Sequence, residues 1–340
     1  MSSIDVVVPC YKYARYLRQC VSSILAQEVA DLRVLVIDDA SPDDTSEVGR
    51  ELAREDPRVT LITHKHNLGH IATYNEGIAW LEADYMLLLS ADDFLLPGAL
   101  AAAVDALDRA PGTGLCIGAA TEIDAADRKI RKLDVDVDFA GQPARYLTGT
   151  EFAELCIRSR CTNVVPTPTA VVRTRLLRQS GGYRAELPHT ADLEMWLRMA
   201  ALSGVCVLAR TQAVYRRHAN NMSDAYYHDN CLLDLQQRRA AFDAFSETCA
   251  PQMPEAPALQ QRFLAGLARE AVLQASGAFN ERRFDLSRQL ADLALSFNPD
   301  IHRSRAWKLL SLKRFLGYRI TRALLPLNSL AQAPGQRSQS

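Results

Sequence analysis

The chain has 340 residues, enough for one large domain or two smaller ones. Hydrophobic residues make up 48% of the chain and charged residues 23%, a balance typical of a folded protein rather than a disordered one. The 39 Lys and Arg residues nearly balance the 40 Asp and Glu residues, giving a net charge of −1, so the whole-chain charge does not indicate a nucleic-acid partner.

The first third of the chain alternates short apolar runs with helix-like stretches. The apolar runs predict strands over residues 4–8, 33–37, 59–62, 85–89 and 115–119. The stretches between them predict helices over residues 16–26, 45–55, 71–82 and 97–110. Because these strands are almost continuously apolar, we expect an α/β fold: a mostly parallel sheet, buried by helices on both faces.

The rest of the chain has a different pattern. Residues 125–150 are rich in Asp and Gly, and we expect a loop or an irregular insertion there. Helices are then predicted over residues 151–158, 175–179 and 192–203, strands over 205–208 and 212–215, and helix only from about 224, with a break over 250–257 and a helix over 284–297. The expected organisation is an α/β domain over 1–223, a C-terminal helical region over 224–330 and a disordered tail over 331–340.

Eight cysteines are spread along the chain, and no two of them form a Cys-x-x-Cys pair. We expect reduced thiols in the core rather than a zinc site or a disulfide framework. The apolar run near the start is too short for the core of a signal peptide, and no stretch of about 18 uncharged apolar residues is present to span a membrane. These features predict a cytoplasmic protein.

Three of the predicted strands end in residues suited to ligand binding. The first leads into Pro9-Cys10-Tyr11, the second into Asp38-Asp39 and the fourth into Ser90-Ala91-Asp92-Asp93. In an open parallel sheet such ends lie along one edge, and that edge is where ligands bind. We therefore expect the two acidic pairs to converge on one cleft.

Carboxylates crowded at one edge repel each other unless a cation lies between them. Oxygen ligands favour a hard divalent ion such as Mg²⁺ or Mn²⁺, which commonly takes substrate phosphates as further ligands. The alternative is that each Asp pair caps a helix or a turn, and for a single pair this alternative is the better interpretation. No glycine-rich phosphate loop follows the first strand, which argues against P-loop enzymes and nicotinamide-dependent dehydrogenases.

Seven short segments form an ordered set of motifs along the chain. They are DVVVPCYKYARYLRQCVSSILAQ at 5–27, VLVIDDASPDDT at 34–45, HNLGHIATYNEGI at 66–78, DYMLLLSADDFLLPGAL at 84–100, GGYR at 181–184, TADLEMWLRMA at 190–200 and YRRHANNMS at 215–223. Each motif is weak alone, but the ordered set, which extends over roughly residues 1–223, resembles the family 2 glycosyltransferases. The resemblance implies a GT-A-type sheet and a nucleotide-sugar donor.

The resemblance also implies roles for particular residues. Asp192 would be the general base that deprotonates the acceptor hydroxyl. Asp92 would bind Mn²⁺ or Mg²⁺, with His218 near the metal or the diphosphate, and Asp39 would meet the uridine or its ribose. The positions implied to bind the nucleotide are Pro9, Tyr11, Asp38, Asp39, Asn67, Gly69, Ser90, Ala91 and Asp92.

The chain departs from the family pattern at two positions. Ser90 stands where the D-x-D motif of the family has its first acid, so we expect weaker metal binding, with Asp93 as an additional candidate. Ala191 stands where a Glu often precedes the catalytic Asp. Glu194 is the fallback base, although its position in the helix should make it face elsewhere.

Two aromatic residues lie close in sequence to Asp192. Trp196 and Tyr183 could stack on an acceptor sugar. Met195, Trp196 and Met199 are at helical spacing, however, and such residues more often belong to the core, so burial is the preferred interpretation of Trp196.

The function implied by the resemblance is inverting transfer of a sugar from a nucleotide diphosphate sugar, with UDP favoured, to a saccharide or lipid-linked saccharide, as in cell-surface polysaccharide biosynthesis. The alternative that Ser90 keeps open is a degenerate protein of the same fold that only binds nucleotide or glycan. A nucleotidyltransferase is disfavoured because its glycine-rich signature is missing after the first strand. A processive polysaccharide synthase is disfavoured because transmembrane helices and a Q-x-x-R-W motif are missing.

The end of the chain is basic. Residues 302–340 contain eight Lys or Arg and no Asp or Glu, and residues 304–327 mix these charges with large apolar side chains. This composition suits a helix lying on an anionic membrane, which would place the protein peripherally on the inner face of the membrane. The alternative is a basic helix docked on the rest of the protein.

Overall fold

Ten strands form one sheet in the computed structural model, which describes residues 2–218, 221 and 230–324. The strands are β1 Ile4–Cys10, β2 Leu32–Asp38, β3 Val59–Thr63, β4 Tyr85–Leu88, β5 Phe94–Leu95, β6 Leu115–Asp124, β7 Lys129–Leu133, β8 Ala144–Leu147, β9 Val171–Arg173 and β10 Val205–Arg217. Their order is β3-β2-β1-β4-β9-β6-β10-β5, with β7 paired to β6 and β8 to β10.

Helices cover the sheet and form the C-terminal region. The α-helices of the described ranges are α1 Ala14–Leu25, α2 Thr45–Glu55, α3 His70–Trp80, α4 Ala99–Arg109, α5 Gly149–Arg158, α6 Thr174–Ser180, α7 Ala191–Ser203, α8 Cys231–Cys249, α9 Ala256–Asn280, α10 Phe284–Phe297 and α11 Arg305–Leu324. Short 3₁₀ helices lie at Thr167–Thr169 and Pro299–Arg303.

The first four long strands build the edge that carries the candidate site. Strand β1 pairs in parallel with β2 and β4, and β2 pairs in parallel with β3. The register sets Cys10 opposite Asp38 and Val7 opposite Leu88, so the carboxyl ends of β1, β2 and β4 lie along one edge. Val7 and Val8 belong to separate hydrophobic clusters, which confirms that these strands are buried on both faces.

Four strands run against this direction. Strand β9 is antiparallel to both of its neighbours, β4 and β6, and β5, β7 and β8 are antiparallel to their partners. Strands β6 and β10 run parallel to each other. The sheet therefore has six strands in the direction of β1 and four in the opposite direction. Strands β5 and β9 were not predicted because runs of two or three residues are too short for a periodicity.

Two expectations for the middle of the chain were wrong. The expected loop over 125–150 contains strands β7 and β8. Strand β7 is mostly exposed and reads KIRKL, so it has no buried apolar face to mark it in the sequence. The two short strands expected over 205–208 and 212–215 are one strand, β10, because two register shifts absorb the exposed residues between them without ending the pairing with β6.

The C-terminal helices share a hydrophobic core with the sheet. Phe242 of α8 stacks on Phe263 of α9, with ring centroids 3.8 Å apart. These rings belong to the same hydrophobic cluster as Val7 of β1. The expected boundary near residue 223, the end of the 304–327 segment and the tail over 331–340 lie outside the described residues.

Two further expectations concern cysteines and membrane spans. All eight cysteines are free thiols, and all except Cys231 are buried. In the described ranges, no helix carries an apolar stretch long enough to cross a bilayer.

Candidate active site

The loops that follow β1 and β2 are tied to each other. The backbone N–H of Lys12 donates to the Ser41 hydroxyl at 3.0 Å, and the backbone N–H of Ser41 donates to the Asp38 carboxylate at 2.9 Å. Lys12 has φ 68° and Ala40 has φ 56°, a region that costs energy for residues other than glycine. Strained backbone of this kind concentrates at functional sites.

Asp38 stabilises the turn between β2 and α2. Its carboxylate is fully buried and also accepts a hydrogen bond from the hydroxyl of Ser46 in α2. Both oxygens are therefore engaged in holding the turn between β2 and α2. The capping alternative describes Asp38 well.

Asp39 joins the end of β2 to the segment before α3. Its carboxylate accepts the backbone N–H groups of Leu68 and Gly69 at 2.7 and 2.9 Å, and His64 Nδ1 lies 2.7 Å from Oδ1. Burial alone would raise the pKa of the Asp39 carboxyl, but these hydrogen bonds outweigh it and hold that pKa below its usual range. His64 Nε2 in turn lies 2.5 Å from a carboxylate oxygen of Glu76. His64 was not among the site residues predicted from the sequence.

The remaining residues expected at the nucleotide lie around this junction. The side-chain amide of Asn67 donates to the backbone carbonyl of Asp39 at 3.1 Å. Gly69 has φ 84° and ψ 157° and immediately precedes α3. Pro9 is half-buried, whereas Tyr11 is 39% exposed beside Lys12. These residues are brought together at one end of the β1–β2 edge.

The end of β4 carries the second acidic pair. Asp92 Oδ2 lies 3.0 Å from Nε2 of His218, which follows β10. The His218 ring stacks on Tyr16, with centroids 5.8 Å apart, and packs edge-on against Tyr13 at 5.3 Å. The backbone N–H of His218 donates to the side-chain carbonyl of Asn221 at 2.5 Å. This imidazole is therefore held in place from several sides.

Asp93 contacts Arg216 rather than His218. Its carboxylate accepts the backbone N–H of Arg216 at 2.9 Å, and the Arg216 guanidinium donates to the backbone carbonyl of Asp92 at 3.2 Å. Burial and the charge of Asp92 raise the pKa of Asp93, against the opposing effect of Arg216. Arg216 is buried, and no periodicity in the sequence marked it. Ala91 is fully buried and Ser90 is half-buried.

Asp192 lies in the first turn of α7, where the helix dipole favours a carboxylate. The hydroxyl of Thr167, in the 3₁₀ helix, donates to its Oδ2 at 3.1 Å. Burial raises the pKa of the Asp192 carboxyl, and the Thr167 hydrogen bond and the nearby His70 and His189 reduce that shift without cancelling it. A carboxyl with a raised pKa is suited to accept a proton.

Tyr74 of α3 connects Asp192 with the second acidic pair. Burial raises the pKa of the Tyr74 hydroxyl, and the negative charges of Asp192 and Asp92 raise it further. Its ring packs edge-on against His70 and Tyr183. Because both carboxylates raise the pKa of one phenol, Asp192 and Asp92 both lie close to Tyr74.

Two additional candidates belong to the interior. Glu194 is fully buried, accepts hydrogen bonds from the Arg198 guanidinium at 2.9 and 2.8 Å, and lies 3.1 Å from Arg184 Nε. Its carboxylate is committed to these ion pairs, so it is unsuited to the fallback role of a base. Trp196 is 2% exposed and packs edge-on against Tyr183, as the core interpretation predicted.

Fewer side chains are placed to bind a cation than the sequence predicted. Asp38 and Asp39 are committed to their own loops, and across the described part of the chain no cluster of three or more His, Cys, Asp or Glu side chains is arranged to hold a metal ion. The expectation that both acidic pairs surround one cation is therefore not met. Asp92 remains as an oxygen ligand that fits Mn²⁺ or Mg²⁺ if phosphate and water complete the coordination, and Nε2 of His218, 3.0 Å from it, is a nitrogen ligand that suits Mn²⁺ better than Mg²⁺.

Solved structures with a similar fold include S. aureus TarS 1–349 in complex with UDP-GlcNAc, with a TM-score of 0.56 and 16% identity, covering 88% of this chain and 92% of that one. They also include the mannosyltransferase PcManGT from Pyrobaculum calidifontis in complex with GDP-Man and Mn²⁺, with a TM-score of 0.50 and 16% identity, covering 87% of each chain. These likenesses show the GT-A fold.

Sequence relatives agree with this fold. An uncharacterized glycosyltransferase of Haemophilus influenzae is 24% identical over 233 residues, which cover 66% of this chain and 69% of that protein. A chondroitin synthase of Pasteurella multocida is 35% identical over 97 residues, but these cover 28% of this chain and 10% of that protein. The family model for glycosyl transferase family 2 matches residues 5–174, which include both acidic pairs. The chain therefore belongs to glycosyltransferase family 2.

Proposed function

We propose that this glycosyltransferase transfers a sugar from a nucleotide diphosphate sugar, with inversion, to a hydroxyl of a saccharide or lipid-linked saccharide. The observation that carries the proposal is the position of Asp192 and of the Asp92–His218 pair, since both carboxylates lie close enough to the Tyr74 phenol to raise its pKa. A base for the acceptor and a phosphate-binding pair for the donor are the two groups that this reaction needs on either side of the transferred sugar.

Each residue has one task in this proposal. Asp192 accepts the proton of the acceptor hydroxyl as that oxygen attacks the anomeric carbon, and the nucleoside diphosphate leaves from the opposite side of the sugar. Thr167 orients the Asp192 carboxylate. Asp92 and His218 would hold Mn²⁺ or Mg²⁺. The bound ion supplies Lewis-acid stabilisation of the negative charge that develops on the departing diphosphate.

The nucleotide is proposed to lie at the ends of β1 and β2. Asp39 fixes the backbone of Leu68 and Gly69 there, and the exposed ring of Tyr11 offers a stacking surface for a base. UDP is the favoured nucleotide, because the similar TarS structure contains UDP-GlcNAc, although PcManGT contains GDP-Man. The relatives include chondroitin and hyaluronan synthases, which favours polysaccharide biosynthesis as the setting. We assign catalysis to residues 1–223 and keep 224–330 as a helical region.

The degenerate alternative, a protein that binds nucleotide or glycan without transfer, is favoured only by Ser90. A thermal-shift screen of nucleotide sugars with Mn²⁺, followed by an assay of nucleoside diphosphate release, distinguishes the two functions. A ligand that binds the native state raises the melting temperature. The proposal predicts a rise with a UDP-sugar and release of UDP when acceptor is added. Stabilisation without any release or transfer would support the degenerate alternative, and no stabilisation by any nucleotide sugar would contradict both.

A further inference from the structure

Helix α11 has two different faces. Its inner face docks on α9: Leu310 is 1% exposed, and the buried ammonium of Lys313 donates to the Ser276 hydroxyl at 2.8 Å and to the Asn280 side-chain carbonyl at 3.2 Å. Phe315 points away and is 87% exposed, more than any other large apolar residue of the described ranges. The docked-helix alternative is thus correct for the inner face and leaves the outer face unexplained.

The outer face combines cations with apolar side chains. Arg305, Lys308, Leu312 and Phe315 are all exposed and follow one another at helical spacing, so they form one stripe. The helix is then broken at Gly317, which has φ 74°, and the next turn exposes Arg319, Ile320 and Arg322. Ile320 is 50% exposed.

Arg282, in the loop between α9 and α10, joins Arg319 and Arg322 at this surface. Arg282, Tyr318, Arg319 and Arg322 line an open pocket of about 450 Å³. The Arg282 guanidinium lies 5.5 Å from the centre of the Tyr318 ring, which also packs against Phe279 and Phe284. Among the residues that the structure describes, no carboxylate forms an ion pair with any of these three arginines.

We propose that the outer face of α11, together with Arg282, docks the protein on the surface of an anionic lipid membrane. The three arginines of the pocket receive a phosphate headgroup, since guanidinium groups match phosphate oxygens in geometry and charge. Phe315, Leu312 and Ile320 enter the boundary between headgroups and acyl chains. The positive charge of the three arginines complements an anionic membrane and so favours it over an apolar partner. An apolar partner surface would bury three unpaired guanidinium groups.

Co-sedimentation of the full-length chain with vesicles tests this surface. The probes are phosphatidylcholine vesicles with and without about one-third phosphatidylglycerol, at low salt. We expect binding to the anionic vesicles only. The triple variant Arg282→Gln/Arg319→Gln/Arg322→Gln should lower the partition coefficient on the order of 100-fold, because each surface arginine near an anionic bilayer contributes several-fold to binding. Phe315→Ser should lower it about tenfold or more.

The matched control has the same change in net charge on another surface. Arg50, Arg54 and Arg109 are exposed on α2 and α4, and their triple change to Gln should leave vesicle binding unchanged. An equal loss of vesicle binding in the two triple variants would contradict a specific binding surface. Unchanged vesicle binding of the Arg282/Arg319/Arg322 variant would contradict it as well. If that variant does not fold, Phe315→Ser decides alone, and unchanged binding of that variant overturns the proposal.

Two other occupants give different results. If inorganic phosphate raises the melting temperature of the wild type but not of the triple variant, and anionic vesicles do not bind, the pocket serves a soluble phosphate and the membrane proposal is wrong. If analytical ultracentrifugation shows a wild-type dimer that Phe315→Ser converts to a monomer, and vesicles do not bind, the face covers a second copy of the chain. Neither result bears on the proposed transferase reaction, which uses other residues.

Discussion

The imidazole Nε2 of His218 lies 3.0 Å from the carboxylate Oδ2 of Asp92, although 126 positions separate the two residues in the chain. The first follows β10 and the second follows β4, and the aromatic rings of Tyr13 and Tyr16 fix the imidazole between them. A pair built from two distant segments is in place before any ligand arrives. Preorganisation of this kind reduces the entropic cost of binding a phosphate and its counter-ion.

The first prediction concerns donor binding. Asp92→Asn and His218→Gln should each raise the Kd for UDP in Mn²⁺ buffer about tenfold or more, because each removes one contact to a charged ligand. Chelation with EDTA should stop turnover, and Mn²⁺ or Mg²⁺ should restore it. Isothermal titration calorimetry measures the binding. Asp31→Asn, an exposed change at the opposite end of β2, is the control. Full activity in excess chelator would contradict the metal assignment.

The second prediction concerns the base. Asp192→Asn should lower kcat about 10²–10⁴-fold while the Kd for UDP stays unchanged, because only the proton transfer is lost. The raised pKa of Asp192 also means that the folded state binds its proton more tightly than the unfolded state does. The ionised group therefore lowers stability at neutral pH, and the variant should melt at a higher temperature. Near wild-type turnover would show that another group is the base.

The third prediction concerns the pH dependence of transfer. Because Asp192 must be ionised to act, activity should fall as the pH drops through its raised pKa. Thr167→Val removes a hydrogen bond that opposes the shift, so it should move the acidic limb of the pH–rate profile to higher pH. Thr167→Ser keeps the hydroxyl and should restore the wild-type profile. If the acidic limb of the pH–rate profile is the same in all three proteins, Thr167 does not influence the pKa of Asp192.

The fourth prediction concerns Gly69. Its φ of 84° and ψ of 157° lie in a region that is almost restricted to glycine, and its N–H donates to Asp39. Gly69→Ala should destabilise this segment by about 1–3 kcal/mol and raise the Michaelis constant for the donor. An added Cβ meets no atom within 4 Å at Gly69 or at Gly112, but Gly112 has no positive φ and serves as the control. Equal melting temperatures and Michaelis constants for the two variants would show that the strain is unimportant.

The fifth prediction separates Glu194 from catalysis. The Glu194–Arg198 pair is almost fully buried, so Glu194→Gln should lower the free energy of unfolding by about 3–5 kcal/mol. Glu186→Gln, at an exposed carboxylate near Arg184, should change stability little. Urea denaturation gives both values. A stable Glu194→Gln variant with lost turnover would instead restore Glu194 as a candidate base.

Much of the central sheet could be predicted from the sequence, because β1, β2 and β4 are almost continuously apolar and lead into short polar motifs. Strands β5, β7, β8 and β9 could not be predicted, since β5 and β9 are very short and β7 and β8 have no continuous buried apolar face. Asp92 was predicted as a ligand from its place after the fourth predicted strand, whereas the roles of His218 and Asp192 were reached only through their places in the ordered family motifs.

The contact partners of these residues could be identified only from the structure. Arg216 and His64 act through contacts between segments far apart in the chain, and neither side chain lies in a periodic pattern. The separate behaviour of the two acidic pairs also depends on hydrogen bonds that spacing cannot reveal, since Asp38 turns into its own loop while Asp92 meets His218. The family motif at 215–223 contains both Arg216 and His218, and it was the one feature of the sequence that could have indicated Arg216.

The most direct test of the proposed donor site is a crystal of the protein grown with UDP and Mn²⁺ and measured at a wavelength where manganese scatters anomalously. We expect one anomalous peak in contact with Asp92 and His218, with the diphosphate bound to the same ion and the base near Tyr11 and Asp39. A peak elsewhere, or UDP bound away from the ends of β1, β2 and β4, would contradict it.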